Sequence, residues 1–152
     1  MKKRLTSFIL ILSFQAQGAS LQPSIHSCQA YSALSRQLNC DKSSYINRFG
    51  KRYCQIYLNQ SHRGVYSPST VHTLNGIRYC LQDMLLEEPD LTCANAQDKA
   101  LRHHIQCYRQ SNFCSLSLYE KVKIFYVVQN EIFDSRFRQV IGLINNFCRQ
   151  AH

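Results

Sequence analysis

Apolar residues recur along this chain every three or four positions far more often than every second one, and that spacing predicts helices. A first helix is expected over 25–38, where Ala30, Leu34 and Leu38 share a face and Cys28 lies near the start. A second is expected over 44–61. There Tyr45, Phe49, Tyr53 and Tyr57 recur every four residues, and Ile46, Cys54 and Leu58 broaden the stripe. Asp41 or Ser43 can cap it, and "HRGVYSPS" breaks it. The third helix opens with Ser67 as N-cap and Pro68 at the first helical position, where the missing proline N–H has no partner to lose. Val71, Leu74, Ile77, Leu81 and Leu85 make its stripe. It ends in "EEPDL", because the residue before Pro89 is pushed out of helical geometry. A fourth helix over 94–110 turns Ala100, Leu101, His104, Ile105 and Tyr108 inward. The last begins at a capping box, Ser117 with Glu120. It carries Val122, Phe125, Tyr126, Val128, Ile132, Phe133, Phe137, Ile141, Ile144 and Phe147. That run is either one long helix or two joined near Asp134. The expected fold is all-α, a small disulfide-stapled bundle of about five helices, with no internal repeat and no linker.

The first twenty residues stand outside that pattern. "MKKR" is a basic start, "LTSFILILSF" an apolar run of ten, and "QAQGAS" a stretch of small residues suited to cleavage. This order is that of a secretory signal peptide, so the expected organisation is a leader over 1–20 and a single domain over 21–152. The apolar run falls short of the roughly 20 residues of a membrane span, and no later segment is long and apolar enough. The expected location is therefore extracellular, or periplasmic in a bacterium.

That location changes how the cysteines are read. All eight follow the leader: Cys28, Cys40, Cys54, Cys80, Cys93, Cys107, Cys114 and Cys148. An even number in an oxidising compartment implies four disulfides, each contributing about 2–4 kcal/mol. The charge changes less. The chain has 18 basic and 9 acidic side chains, and losing Lys2, Lys3 and Arg4 with the leader reduces the excess from +9 to +6. A positive balance favours anionic partners, although the densest cluster is only Arg48, Lys51 and Arg52 in "RFGKRY". No nucleic-acid-binding motif is present.

The stretch "HHIQCYRQSNFC" concentrates the candidate chemistry. His103 and Cys107 would share a helix face, as zinc ligands can, but no CxxC pair supports a metal or thioredoxin-like site. A Cys-His nucleophile needs a free thiol, and no GxSxG suggests serine chemistry. Glu87, Glu88 and Asp90 cluster at a helix end, where they cap or terminate it, and no EF-hand spacing is present. No catalytic, cofactor or metal residues are therefore assigned, and His103 and His104 read as surface or core-facing side chains, not ligands. Asn59-Gln60-Ser61 is an N-x-S sequon, which makes Asn59 a candidate glycosylation site.

The cysteine intervals, in order, resemble those of the stanniocalcins, secreted helical disulfide glycoproteins with hormone-like activity. "KRYCQIYL" is similar to the family's Tyr-x-x-Cys-x-x-Phe-Leu helix, and "VHTLNGIRYC" to its Lys-x-Ser-Leu-x-Cys segment. "CYRQSNFCS", Cys107 to Ser115, resembles its Cys-Tyr, five residues, Cys-Ser block at the same spacing. "CQAYSALSRQLNC" resembles its first element with a longer gap, and the steps Cys93 to Cys107 and Cys114 to Cys148 also fit. The likeness covers most of the mature chain. Carried over residue by residue, it implies Cys40–Cys54, Cys80–Cys107 and Cys114–Cys148. Two further family cysteines are missing from "DKSSYINRFGKRY". Their partners match Cys28 and Cys93, which are expected to pair with each other. The family's C-terminal extension, with the cysteine that makes a covalent dimer, has no counterpart after Cys148. A monomer or non-covalent dimer is expected instead.

The expected function is that of a secreted, non-enzymatic, stanniocalcin-like binding or regulatory protein. It would be hormone-like, with a role in calcium and phosphate balance or as a microbial mimic of a host regulator. Its partner would be an extracellular protein or an anionic glycan. The alternative is a small periplasmic or secreted helical protein handling a metal or lipid, with Tyr53, Tyr57, Phe125, Phe133 and Phe137 lining a pocket.

Overall fold

The computed structural model describes residues 21–131 and 133–150; the expected leader lies outside the described residues. Among them are six α-helices and no strand: α1 (Gln29–Gln37), α2 (Arg52–His62), α3 (Pro68–Leu86), α4 (Ala96–Gln110), α5 (Leu118–Val127) and α6 (Ser135–Gln150). A π-helix, Ile46–Lys51, runs directly into α2, and 3₁₀ turns flank α5 at Phe113–Ser115 and Gln129–Glu131. The architecture is all-α, with one helix more than expected because the last apolar run divides.

Local chemistry accounts for most helix ends. The Ser67 hydroxyl accepts the Thr70 N–H at 3.3 Å, with Pro68 in the first turn. Thr92 and Asn95 cap α4 reciprocally: the Asn95 carbonyl oxygen takes the Thr92 N–H (2.8 Å) and the Thr92 hydroxyl takes the Asn95 N–H (3.2 Å). This is a capping box with Asn in place of Glu or Gln. At α5 only half of the expected box forms. Ser117 accepts the Glu120 N–H at 3.2 Å, while the Glu120 carboxylate takes the Lys123 ammonium at 2.9 Å. Asp134 opens α6 by accepting the amides of Arg136 (2.8 Å) and Phe137 (3.4 Å), so the division near Asp134 has a side-chain cause. Asn39 ends α1 in left-handed geometry, φ 54°. The Asn39 and Cys40 amides close on Arg36 and Ser35, the two bonds of a Schellman motif.

Two helices depart from expectation. The first begins at Gln29 rather than near 25, because the carbonyls that would start it earlier are taken from a distance. Arg78 donates to the Ile25 carbonyl (2.6 Å) and Gln82 to that of Ser24 (2.9 Å), which straps this segment across α3. The second opens as a π-helix. Residues four apart drift by roughly 40° per step around an α-helix. Across the junction of the π-helix with α2, Tyr45, Phe49 and Tyr53 nonetheless stay together, with ring centroids 5.2 and 4.7 Å apart. Asp41 precedes it and accepts the Ser43 and Ser44 amides at 2.9 and 2.8 Å.

The π-helix also brings the backbone of Gly50 against Tyr31. A Cβ there would lie 2.7 Å from Tyr31 Cε1. Tyr31 is itself buried, so the ring cannot retreat. Gly50→Ala is expected to cost about 1–3 kcal/mol through overpacking, despite a helix-propensity gain of up to about 1 kcal/mol. Gly142→Ala on α6 has nothing within 4 Å of the new Cβ and should show the propensity gain alone. Urea unfolding of the two oxidised variants checks the opposite signs; a stabilised Gly50→Ala would contradict this packing.

The buried apolar residues form two clusters. One gathers Tyr53, Tyr57, Leu74, Ile77, Leu101, Phe113, Ile124, Val128, Phe137, Val140 and Ile144. The smaller one holds Cys28, Tyr31, Leu34, Ile46, Cys54, Leu85, Ala96 and Ala100. Four disulfides tie the helices: Cys28–Cys54, Cys40–Cys93, Cys80–Cys107 and Cys114–Cys148. The second two are those implied by the stanniocalcin resemblance. The first two are a correction, since Cys40–Cys54 and Cys28–Cys93 do not form. Cys28 and Cys40 lie at opposite ends of α1, which is about 13 Å long at 1.5 Å per residue. Cys28 meets Cys54 on α2 with Cα atoms 6.0 Å apart, and Cys40 meets Cys93 ahead of α4 at 5.4 Å. Bridging needs Cα atoms within about 7 Å, and each end of α1 reaches only its own neighbour. The family pairing was carried across a segment with a different gap and two fewer cysteines.

Candidate functional site

The "HHIQCYRQSNFC" stretch divides among three structural tasks. Cys107 and Cys114 belong to separate bridges, to Cys80 on α3 and Cys148 on α6. His103 contacts Glu88 at 2.5 Å (Nε2 to Oε2), and Lys99 pairs with the other carboxylate oxygen. The Lys99 hydrogen bond holds the Glu88 carboxyl below its usual range against the opposing effect of burial, and His103 adds to this. Glu88 thus joins the end of α3 to α4. His104 is buried, with Nδ1 2.7 Å from the Ala100 carbonyl. Burial lowers its pKa despite that bond, so the ring is a neutral core group whose Nδ1–H donates.

No cysteine is free, and among the described residues no group of three His, Cys, Asp or Glu is placed to hold a metal ion. Asn59 is exposed on the last turn of α2. Of the basic cluster, Arg48 and Arg52 are exposed and Lys51 is half-buried, with Arg52 5.4 Å from the centroid of the Tyr53 ring. No helix among the described residues is long and apolar enough to cross a membrane.

Two features remain that could meet another molecule. The first is the outer face of α5. Leu118, Val122 and Tyr126 stand one turn apart and are 77, 57 and 68 % exposed, with Tyr119 beside them at 71 %. Phe133 follows at 86 %. Val122, Tyr126 and Phe133 belong to the apolar pattern of the last helical run, yet all three are on the surface. The structure instead buries Ile124 and Val128 from the opposite side of the helix. Tyr57 fixes that choice by donating to the Ile124 carbonyl at 2.9 Å. Lys123 lies 5.1 Å from the Tyr119 ring centroid and 5.4 Å from that of Tyr66. Helix α5 is therefore apolar on two sides, and one of them is bare.

The second is an interior cavity of about 60 Å³ where the two core clusters meet. Its walls come from α1, the π-helix, α2, α3, α4 and α6 and include Tyr31, Tyr45, Tyr57, Arg78, His104 and Tyr108. Of the aromatics expected to line a pocket, Tyr53, Tyr57 and Phe137 do so. Phe125 packs elsewhere in the core, in edge contact with Phe113 at 5.7 Å, and Phe133 is on the surface. The volume is well below the about 150 Å³ of a cavity that admits benzene, so an acyl chain does not fit.

No family model matches the chain, and neither a curated protein nor a solved structure does.

Proposed function

We propose that this protein is a secreted, non-enzymatic binding protein of stanniocalcin-like kind, which acts by docking the outer face of α5 on an extracellular protein. The observation that carries this reading is the contiguous row Leu118, Tyr119, Val122 and Tyr126, more than half exposed on a helix whose other side is packed. Large apolar side chains grouped on one surface mark interaction sites far more often than scattered ones, and tyrosine is enriched among the residues that dominate binding energy. Four disulfides support the reading in two ways. They are the chemistry of an oxidising compartment, and they hold the bundle rigid, so little ordering entropy is lost on docking. The leader-like start and the cysteine intervals shared with the stanniocalcins point the same way. An aliphatic and aromatic face suits a protein better than a sulfated glycan, which would need cations where Leu118 and Val122 stand.

The test is a comparison of the oxidised protein with its Val122→Glu/Tyr126→Glu variant. Each is immobilised, and proteins retained from extracellular fluid are identified and then rebound as purified components. A partner is expected to lose roughly 100-fold in affinity for the variant, from two contacts worth about 1–2 kcal/mol each, with unchanged helical circular dichroism. A partner that binds both forms equally would place the docking surface elsewhere. Light scattering of the wild-type protein alone reports whether the partner is a second copy of the chain.

A further inference from the structure

The exposed row on α5 has the same spacing on either side of its middle. Val122 stands about one turn after Leu118 and one turn before Tyr126, and all three are more than half exposed, as is Tyr119. A branched residue, the smallest of the four, thus occupies the centre, with larger side chains at both ends. Uncharged polar residues continue the row. Ser115 and Ser117 are exposed at the N-terminal end of the helix, and Gln129 and Asn130 beyond its C-terminal end. No charged side chain belongs to the row. The lysines of the same helix are engaged within the chain: the Lys123 ammonium donates to the Glu120 carboxylate at 2.9 Å, and that of Lys121 to the Cys114 carbonyl at 2.7 Å.

We infer that this row is the contact face of a homodimer, in which it packs on the same row of a second copy with the two α5 helices antiparallel. Such a dimer rests on the reading of α5 as a docking face and supplies the occupant of that face when no other protein is bound. A two-fold axis places a surface against itself, so residue i of one copy meets j of the other and j meets i. With the axis through Val122, the two valines meet at the centre, where their small size lets the helices approach. Leu118 of each copy then meets Tyr126 of the other. The serines at one end face the amides of Gln129 and Asn130 at the other, where hydroxyl and carboxamide can exchange hydrogen bonds. The antiparallel order also sets the positive N-terminal end of each helix beside the negative C-terminal end of the other.

Charge and area both favour a second copy. The chain carries 18 basic and 9 acidic side chains, so two copies repel at long range, and a face they share must be free of charge at contact, as this one is. An anionic membrane surface would instead need unengaged cations flanking the row, and both α5 lysines are turned to partners within the chain. A whole aromatic side chain covers roughly 150–250 Å², so the exposed parts of Leu118, Tyr119, Val122 and Tyr126 offer on the order of 500 Å² per copy. Two copies bury about 1,000 Å² in total, at the lower bound for a specific interface. That area suits a dimer that dissociates in the micromolar range and exchanges. A second copy and a different partner then compete for one face, so docking on another protein is strongest in dilute solution.

Sedimentation equilibrium of the oxidised protein, with Val122→Glu and Val122→Lys made separately, is the test. The wild-type protein is expected to pass from monomer to dimer mass over micromolar concentrations. Each variant sets like charges together at the axis and should weaken the dimer at least about 30-fold. An equimolar mixture of the two should recover dimer mass through Glu–Lys pairs, which is expected only where residue 122 meets itself. Val122→Cys gives a second readout on the folded protein: mild oxidation should join two chains through residue 122, whereas Tyr79→Cys, exposed on α3, should not be joined. A wild-type protein that stays monomeric to millimolar concentration, a dimer that both charged variants leave unweakened, or a mixture no tighter than either variant alone would overturn the inference. A monomer that still loses its partner through Val122→Glu/Tyr126→Glu would leave the docking face in place without self-association. A dimer dissolved by the Val122 variants, with no other protein retained, would leave self-association alone.

Discussion

Replacing Cys40 and Cys93 together by serine should lower the unfolding free energy by about 4 kcal/mol, the largest effect expected of any single bridge that closes on α1. Their separation in sequence is 53, against 26 for Cys28–Cys54. The longer loop frees more conformations in the unfolded chain when it is cut. The loss also has a native-state component. Cys40 follows the Schellman end of α1, and Cys93 precedes the capped start of α4, so the bridge sets the distance between two helix termini that share the Cys28, Leu34 and Ala96 core. Guanidinium unfolding without reductant measures the difference, and peptide mapping of the wild-type protein tests the connectivity it assumes. Recovery of a Cys40–Cys54 peptide would contradict both the structure and the prediction.

Phe113→Ala should cost about 3–5 kcal/mol, the range for removing a fully enclosed ring. Phe113 is 1 % exposed. It stands edge-on to Tyr108 at 4.7 Å and to Phe125 at 5.7 Å, with the Lys121 ammonium 5.9 Å from its centroid. Each aromatic pair adds about 0.5–1.5 kcal/mol beyond its buried area. The ring also precedes Cys114, whose bridge to Cys148 prevents the backbone from collapsing into the space left. Urea unfolding of the oxidised variant checks the loss; a cost below about 1 kcal/mol would mean that the site closes up, contrary to the rigidity argued for it.

Much of this fold was legible in the sequence because its causes are local. Ser67 and Pro68 start α3 using groups within three residues, and Asp134 divides α5 from α6 with its own carboxylate. What was not legible depends on distant partners. The start of α1 is decided by Arg78 and Gln82, more than fifty residues away. Periodicity could not choose the buried side of α5, because Ile124 and Val128 on one side and Leu118, Val122 and Tyr126 on the other both satisfy it, and the Tyr57 hydroxyl breaks the tie. Cysteine spacing suggested that bridges exist, but their partners follow from which helix ends meet. The cavity left one signal. Arg78 falls in register with Leu74, Leu81 and Leu85 on the apolar stripe of α3, so a charge there must be buried or must bend the helix away. His104 was placed on the inner side of its helix from spacing alone.

The bridge between Cys114 and Cys148 spans 34 residues, and within that span lie α5, the turn at Gln129–Glu131 and nearly all of α6. The bare face of α5 is therefore carried on a covalent ring. A protease that cut at the exposed Phe133 would open the ring without releasing either part, since α5 would remain attached through Cys114 and α6 through Cys148. The nicked molecule would keep its mass apart from the added water and, through Cys148, its hold on the turn at Phe113–Ser115. Release of α6 would then require reduction as well as cleavage, while α5, joined to Cys114 by the backbone, would stay on the molecule in either case.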